Sequence, residues 1–307
     1  MAGSAIVRSL IKSGYTNLLC VDRNELDLRN GISVENWFTK NKPDVVILAA
    51  AKVGGILANS KYPVDFLFDN IKIQNNVIES SWRNNVKRFL FLGSSCIYPK
   101  SSQQPIKEEY LLTGSLEKSN EWYAIAKITG LKQCAALRKQ YGFDAISLMP
   151  TNLYGEGDNY HEINSHVLAA MIKRFYDAKE NKLKSVTCWG TGKPLREFMH
   201  VDDLGTACIF TLENWEPKEN EINHLNVGTG IDISIKDLAQ KIAKITGFKG
   251  EIFWDKSKPD GTPRKKLDIS KLKNMGWKPS INLEEGIKRT IYEFNSMKQN
   301  GKKYRSS

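Results

Sequence analysis

The sequence lacks the cysteine and histidine pairs that bind structural metals or build disulfide frameworks. Its five cysteines include no Cys-x-x-Cys pair and its four histidines no His-x-x-x-His pair, so we expect no metal and no disulfide framework. The chain also lacks a run of roughly 18 apolar residues, the minimum for a membrane-spanning helix. It lacks the basic segment and apolar run of a signal peptide as well. These absences predict a cytoplasmic protein without a membrane partner.

A stretch that mixes basic and aromatic residues is absent too, although the formal net charge is +11. The lysines are spread along amphipathic segments, and the cluster at residues 302–305 resembles a solvated tail. We therefore expect no nucleic-acid partner. An excess of positive charge is suited instead to a small anionic ligand.

The first half of the chain alternates apolar runs with segments of helical period, which predicts a parallel sheet with right-handed crossovers. Strands are expected at residues 17–21, 44–48, 89–92 and 145–149, and helices at residues 33–40, 65–84 and 124–140. After about residue 160 the alternation ends. Strands are then expected at residues 186–189 and 251–254, and helices at residues 233–246 and 283–298.

This pattern predicts an α/β protein with a Rossmann-type, doubly wound parallel sheet and a smaller C-terminal α+β domain. The first domain is expected to cover residues 1–160, with a return segment near residues 198–230, and the second to cover residues 161–307. A dinucleotide fold should begin with an apolar strand and a Gly-rich turn, and the first residues provide neither. Gly3 is interpreted as the last glycine of such a turn, and an ordinary amphipathic helix is the alternative. If the chain is complete, the missing first strand predicts low stability and weak NADPH binding.

Two short segments carry groups that can move protons. Tyr123 and Lys127 lie four residues apart in a predicted helix and so face the same way; we expect the lysine charge to lower the pKa of the phenol toward neutrality. Ser94 and Ser95 follow a predicted strand, and Cys96 follows them. Because parallel sheets place their chemistry at the carboxyl ends of strands, these groups predict reduction of a carbonyl. A Tyr-x-x-x-Lys pair alone is also common in ordinary helices.

Seven motifs together resemble a known family. They are AAAKVGGI at 49–56, SSCIYP at 94–99, YAIAK at 123–127, PTNLYG at 150–155, NSHV at 164–167, REFMHVDD at 196–203 and KPDGTPR at 258–264. In this order and spacing they resemble the GDP-L-fucose synthases, which are extended short-chain dehydrogenases/reductases. The resemblance implies an NADPH-dependent epimerase-reductase that inverts C3 and C5 of GDP-4-keto-6-deoxy-D-mannose and reduces its C4 ketone to give GDP-L-fucose.

The resemblance also implies roles for individual residues. Cys96 would be the base and His166 the acid of the epimerisation, while Ser94, Tyr123 and Lys127 would hold the C4 oxygen. The substrate would contact Asn152, Val167, Arg174, Trp189, Arg196 and Asp260, with Arg196 on the pyrophosphate. From the residues alone, Trp189 could equally be a core aromatic and Arg174 a surface charge.

The cofactor is expected to be NADP. Asp22 would favour the ribose hydroxyls of NAD and Arg23 the 2′-phosphate of NADP, and the resemblance places Arg23 at the phosphate. The implied cofactor contacts are Gly3, Arg23, Asp27, Leu28, Ala49, Ala50, Ala51, Leu92, Gly93, Ser94, Ser95, Lys127, Pro150, Thr151, Asn152, Leu153 and His166.

Two other functions remain open at this point. Asp22 favours a redox-neutral nucleotide-sugar epimerase or dehydratase with bound NAD, against which stand Cys96, His166 and the absence of a Thr-Asp-Glu triplet before Tyr123. The short N-terminus favours an inactive truncated paralogue with a binding role. The resemblance also implies a homodimer, because two long helices, here near residues 65–84 and 122–139, commonly pack as a four-helix bundle in this fold family.

Overall fold

The computed structural model describes residues 1–161, 164–218 and 221–299. Its strands are β1 (Val45–Leu48), β2 (Arg88–Leu92), β3 (Ala145–Pro150), β4 (Asn152–Tyr154), β5 (Ser185–Trp189), β6 (Leu195–His200), β7 (His224–Val227), β8 (Asp232–Ser234), β9 (Glu251–Asp255) and β10 (Arg264–Lys265). Its helices are α1 (Ala2–Lys12), α2 (Gly31–Asn41), α3 (Ile56–Lys61), α4 (Pro63–Arg83), α5 (Glu121–Tyr141), α6 (Val167–Glu180), α7 (Val201–Asn214), α8 (Ile235–Thr246), α9 (Ser270–Asn274) and α10 (Leu283–Gln299).

The central sheet is parallel, with strand order β1-β2-β3-β7. Alternate residues of a strand point to opposite faces, and β2 is apolar on both. Phe89 and Phe91 pack in the cluster that includes residues of α2, α4 and α5, whereas Leu90 and Leu92 pack with residues of α1 and α7. Helices thus cover both faces of a parallel sheet, which confirms the predicted doubly wound α/β fold.

The strand predicted at residues 17–21 is wrong. These residues have no regular secondary structure, and Leu19 is 51% exposed. Within the described residues β1 pairs with β2 alone, and residues 17–21 line the same cleft as β1. A strand needs a neighbour that accepts and donates its backbone hydrogen bonds, so an apolar run without such a neighbour does not form a strand.

The C-terminal part has its own sheets and core. Strands β10, β6 and β4 form one sheet, on which β8 pairs antiparallel with β6, and β5 pairs with β9. Helices α6, α8 and α10 enclose a core that includes Phe175, Ile242 and Phe294. After β6 the chain returns to the central sheet, because β7 pairs with β3. It then continues into β8 in the C-terminal part. We retain the division near residue 160 as a proposal.

One buried carboxylate links three segments. Glu197 on β6 is fully buried and accepts amide hydrogens from Thr229 at 2.6 Å, Gly230 at 2.7 Å and Leu267 at 2.8 Å. Burial raises the pKa of this carboxyl group, and the three backbone donors partly offset that rise. The strand that carries Arg196 is therefore tied to the turn after β7 and to the segment after β10.

No helix in the described part of the chain combines the length and apolar character that a membrane crossing requires. Within the same residues, no group of three or more His, Cys, Asp or Glu side chains is arranged to hold a metal ion.

Candidate active site

A cleft of about 2210 Å³ is lined by the whole of β1, by the residues that follow β1, β2 and β3, and by residues of the C-terminal part such as Trp189, Arg196 and Asp260. Every residue that the sequence assigned to a site lines it. They are Gly3, Arg23, Asp27, Leu28, Ala49, Ala50, Ala51, Leu92, Gly93, Ser94, Ser95, Cys96, Tyr123, Lys127, Pro150, Thr151, Asn152, Leu153, His166, Val167, Arg174, Trp189, Arg196 and Asp260. The structure thus brings the predicted residues together, and their individual roles remain proposals.

Ser94 and Cys96 are positioned by the turn that ends β2. The Ser94 hydroxyl caps the short 3-10 helix at Ser95–Ile97 by accepting the Cys96 amide hydrogen at 3.2 Å. Ser95 is buried, whereas Ser94 and Cys96 are only half-buried. Of the two serines, Ser94 therefore has the hydroxyl that faces the cleft.

Tyr123 and Lys127 lie in the first turns of α5, on the side that faces β2. The Lys127 ammonium donates to the Leu92 carbonyl at 2.8 Å and lies 4.8 Å from the centre of the Phe91 ring. It lies farther, 5.9 Å, from the centre of the Tyr123 ring. Burial lowers the pKa of Lys127 to about 8.

The prediction that Lys127 lowers the pKa of Tyr123 is wrong. The pKa of Tyr123 is raised, first by burial and then by the negative charge that the Cys96 sulfur carries as a thiolate, and a hydrogen bond with Ser94 offsets only part of the rise. The lysine directs its ammonium to the end of β2 instead of the phenol. Tyr123 therefore keeps its proton and is suited to donate it.

The Cys96 sulfur accepts hydrogen bonds from two side chains that sequence reasoning missed. The Asn120 amide and the Lys265 ammonium each lie 3.3 Å from the sulfur. Burial is the largest single influence on the pKa of Cys96 and would raise it. Lys265, Ser94 and Arg196 together outweigh burial, and the pKa is lowered.

His166 immediately precedes α6 and opens onto the cleft. Two effects lower the pKa of His166. The larger is desolvation of the imidazole by the surrounding protein, and the second is the positive charge of Lys265. A neutral imidazole can exchange protons with a neighbouring group near neutral pH.

The wall provided by the C-terminal part is rich in cations. Arg196 donates to the Asp260 carbonyl at 3.2 Å, and Trp189 is 38% exposed with Arg174 5.7 Å from its ring centre. Trp189 is thus not a core aromatic. Asp260 accepts the Thr191 amide and hydroxyl hydrogens, both at 2.7 Å.

Gly190 is needed between Trp189 and Thr191. Its φ of +81° lies in the left-handed region, and a Cβ there would clash with the Asp260 carboxylate. Glycine alone fits both requirements without strain.

Asp22 and Arg23, which in the sequence favoured NAD and NADP respectively, differ in what they contact. The Asp22 carboxylate accepts the amide hydrogens of Asn24 at 2.6 Å and Glu25 at 3.2 Å, so it closes its own turn. Arg23 is exposed at the rim. The loop that contains Ala49–Ala51 is held by Asn70, which accepts from the Lys52 amide at 2.9 Å and donates to the Lys52 carbonyl at 3.0 Å.

A doubly wound parallel sheet with Ser94, Tyr123 and Lys127 gathered at its strand ends defines a class of dinucleotide-dependent enzymes. The model of the NAD dependent epimerase/dehydratase family matches residues 1–228, and the chain belongs to this family.

Particular members are similar over nearly the whole chain. GDP-L-fucose synthase 1 of Arabidopsis thaliana is 54% identical over 290 residues, which cover 94% of this chain and 88% of the relative. GDP-L-fucose synthase of Escherichia coli strain K12 is 49% identical over 302 residues, covering 96% and 93%. A GDP-mannoheptose C4 reductase of Campylobacter jejuni, solved with NADP bound, matches with a TM-score of 0.86 at 38% identity and covers 96% of this chain and 95% of its own. The predicted resemblance is confirmed.

Proposed function

We propose that the protein is an NADPH-dependent GDP-L-fucose synthase that epimerises GDP-4-keto-6-deoxy-D-mannose at C3 and C5 and reduces it at C4. One observation carries the proposal. The Cys96 sulfur lies in the same cleft as Tyr123, near enough that its negative charge as a thiolate raises the pKa of the phenol. A simple ketone reductase needs a hydride donor and a proton donor, whereas inversion beside the ketone also needs a base next to it. Relatives named as GDP-L-fucose synthases support the same conclusion.

The residues of the cleft fit NADPH. Arg23 offers an exposed guanidinium for a 2′-phosphate, while Asp22 is engaged in its turn. Ala49, Ala50 and Ala51 give a wall of small side chains after β1, and Lys127 lies beyond them at the end of β2. When bound, NADPH supplies the two electrons of the C4 reduction. A relative solved with NADP bound supports this choice over NAD.

Epimerisation uses the acidity of the carbons that flank the ketone. Cys96, as a thiolate, takes the proton from the carbon, the electron pair of the C–H bond moves into an enolate, and the protonated form of His166 returns a proton to the other face. Ser94 and Tyr123 donate hydrogen bonds to the C4 oxygen and stabilise its negative charge.

Reduction uses the same oxygen site. The raised pKa of Tyr123 keeps its proton in place until negative charge develops on the C4 oxygen, and the phenol then donates it. Lys127 keeps positive charge beside the end of β2. On the nucleotide side, we assign Arg196 to the pyrophosphate, whose oxygens a planar guanidinium can bind in pairs, and the Trp189 and Arg174 pair to the remainder of the GDP group.

Turnover in deuterium oxide tests the proposal. GDP-4-keto-6-deoxy-D-mannose and NADPH are incubated with the protein, NADPH absorbance is followed, and the product is analysed by mass spectrometry and NMR. We expect NADPH oxidation and a GDP-L-fucose product with solvent deuterium at C3 and C5. Cys96→Ser should still oxidise NADPH but give product without that deuterium, and Cys134→Ser, at a buried core cysteine, is the matched control.

Other outcomes would contradict the proposal. Oxidation without deuterium in the wild-type product would indicate a C4 reductase alone. Deuterium exchange without oxidation would indicate the redox-neutral alternative, which the names of the relatives do not favour. No reaction of either kind would favour a binding role.

A homodimer is part of the proposal. Val64 and Phe68 on α4 and Trp122 and Ile125 on α5 are exposed, although α4 and α5 pack against each other. A second copy that covers these faces would bury them, as in a four-helix bundle. Light scattering on the wild type and on Phe68→Glu tests this, because the glutamate should shift a dimer toward monomers.

A cytoplasmic location is also proposed. All five cysteines are free thiols in the structure, and Cys96 must stay reduced to accept a proton. Thiols persist in the reducing environment of the cytoplasm. Fractionation of cells that produce the tagged protein is the direct test.

A further inference from the structure

Lys265 contacts the sulfur of Cys96 from the opposite side of the cleft. Its ammonium nitrogen lies 3.3 Å from the sulfur, and the Asn120 amide donates from a second direction at the same distance. The Lys265 side chain is half-buried. Two nitrogen donors converging on one sulfur favour its negatively charged form, which accepts hydrogen bonds more strongly than a thiol does.

The strand pairing explains why Lys265 reaches the sulfur. Lys265 is the register partner of Arg196 in the parallel pair of β10 and β6, so the two cations lie side by side. Backbone contacts fix this short strand, because the Leu267 amide donates to Glu197 at 2.8 Å and the Lys266 amide donates to Gln104 at 2.9 Å. The position of Lys265 is thus set by the fold as well as by its contact with Cys96.

The charged and titratable groups around Cys96 come from several elements. Arg196 on β6 and Lys265 on β10 are the cations, and Glu117 acts on Arg196. Tyr123 on α5 is itself influenced by Cys96, and His166 before α6 is influenced by Lys265. The pKa of Tyr123 is raised and that of His166 is lowered, so neither group adds negative charge that would offset Arg196 and Lys265.

We propose that Lys265 is a positioning residue that orients the Cys96 sulfur and stabilises its thiolate through an ammonium contact between the two parts of the molecule. In the epimerisation the carbon–hydrogen bond breaks, the sulfur–hydrogen bond forms and the electron pair enters the enolate. Lys265 stays an ammonium throughout. The role in epimerisation rests on the proposed function, whereas the contact with Cys96 does not.

The test measures how fast iodoacetamide alkylates each cysteine as pH is varied, with peptide mass spectrometry to separate them. Only the thiolate reacts, so the midpoint of the profile reports the state of Cys96. Exposed Cys20 serves as the internal reference in every sample. The variants are Lys265→Met, Lys265→Gln and Lys265→Arg, and Lys266→Met is the matched control on the same segment.

Lys265→Met and Lys265→Gln should each move the Cys96 midpoint upward by about one pH unit, an approximately tenfold loss of thiolate near neutral pH. Lys265→Arg should keep the wild-type midpoint because it retains the charge, and Lys266→Met should leave it unchanged. Using two uncharged variants keeps the test valid if one of them does not fold. Superimposable Cys96 profiles for the wild type and a folded uncharged variant would overturn the proposal.

A second measurement separates this proposal from the proposed function. Deuterium incorporation from solvent should fall in Lys265→Met near neutral pH and recover as pH is raised, since alkalinity restores the thiolate. If the wild type incorporates no deuterium while the alkylation midpoint still shifts, the epimerase function is wrong and the Lys265 contact stands. If the wild type incorporates deuterium but Lys265→Met has an unchanged midpoint, the positioning role alone is wrong.

Discussion

The two sides of the central sheet differ in how completely they are packed. One side, which we call the closed side, is the part of the sheet around β2. There β2 lies between β1 and β3, and Phe89, Leu90 and Phe91 are fully buried. On the other side, the open side at β1, residues 17–21 have no strand partner among the described residues, and Leu19 and Val45 are about half exposed. The groups proposed for the chemistry are attached to the closed side, while Arg23 extends from the open side. The reacting groups are thus held by the densely packed region, whereas the proposed cofactor contact of Arg23 lies in the loosely packed one.

Tyr123→Phe should have the largest effect, because it removes a proton donor from the closed side. We expect kcat for NADPH oxidation to fall by about 100-fold to 10000-fold, the usual range for a positioned acid, with little change in stability. Tyr141→Phe, at the exposed end of the same helix, should retain activity. A Tyr123→Phe enzyme of nearly normal kcat would show that the proton comes from elsewhere.

One substitution made on each side compares the packing directly. Leu90→Ala should lower the free energy of unfolding by about 2 to 5 kcal/mol, because it opens a cavity in a closed core. Leu19→Ala should change it by less than about 0.5 kcal/mol, as is usual at exposed positions. Urea unfolding followed by circular dichroism measures both. Equal losses would mean that residues 17–21 are covered in solution and that the two sides do not differ.

His224, on the closed side, should make the free energy of unfolding depend on pH. It is buried at the start of β7, and burial lowers its pKa to about 4. Because the unfolded chain takes up this proton at about pH 6.5, the unfolded state gains stability as pH falls below that value. Between about pH 6.5 and 4 the histidine should remove about 3 kcal/mol from the unfolding free energy. His224→Gln should make this decline shallower, and an unchanged slope would contradict the assignment.

Arg23→Ala should have the smallest effect, and only on the cofactor. We expect the Kd for NADPH to rise by about tenfold, roughly 1.4 kcal/mol, with the Kd for NADH unchanged. Lys40→Ala, an exposed lysine on α2, controls for the loss of one positive charge. An equal weakening of both cofactors would indicate that Arg23 does not contact the 2′-phosphate.

Much of the closed side could be predicted from the sequence because its signals are local. The apolar run at residues 89–92 is followed by Gly93 and Ser94, and Tyr123 and Lys127 are four positions apart. Parallel strands all direct their carboxyl ends to one edge of the sheet. These two local patterns, with that rule, were enough to predict one site for these side chains, and the structure groups them in one cleft.

The rest depended on contacts between distant parts of the chain. Residues 17–21 have the composition of a strand, but composition does not reveal whether a neighbouring strand is present. Asn120 and Lys265 lie 24 and 169 residues from Cys96 in the chain. Nothing in the sequence distinguishes Lys265 from the adjacent Lys266 as a contact of Cys96. The direction of the Lys127 ammonium also escaped prediction, since spacing fixes the face of a helix but not the hydrogen-bond acceptor that a long side chain finds.

The buried carboxylate of Glu197 also limits how the cleft can move. Its three backbone hydrogen bonds join β6 to the turn after β7 and to the segment after β10. Breaking them would leave a charged group and several amides without partners in a dry interior, at a cost of several kcal/mol. Arg196 on β6 and Lys265 on β10 are therefore both held close to the turn after β7. The turn that carries Asp260 is held separately, because the Asp260 carboxylate accepts two hydrogens from Thr191.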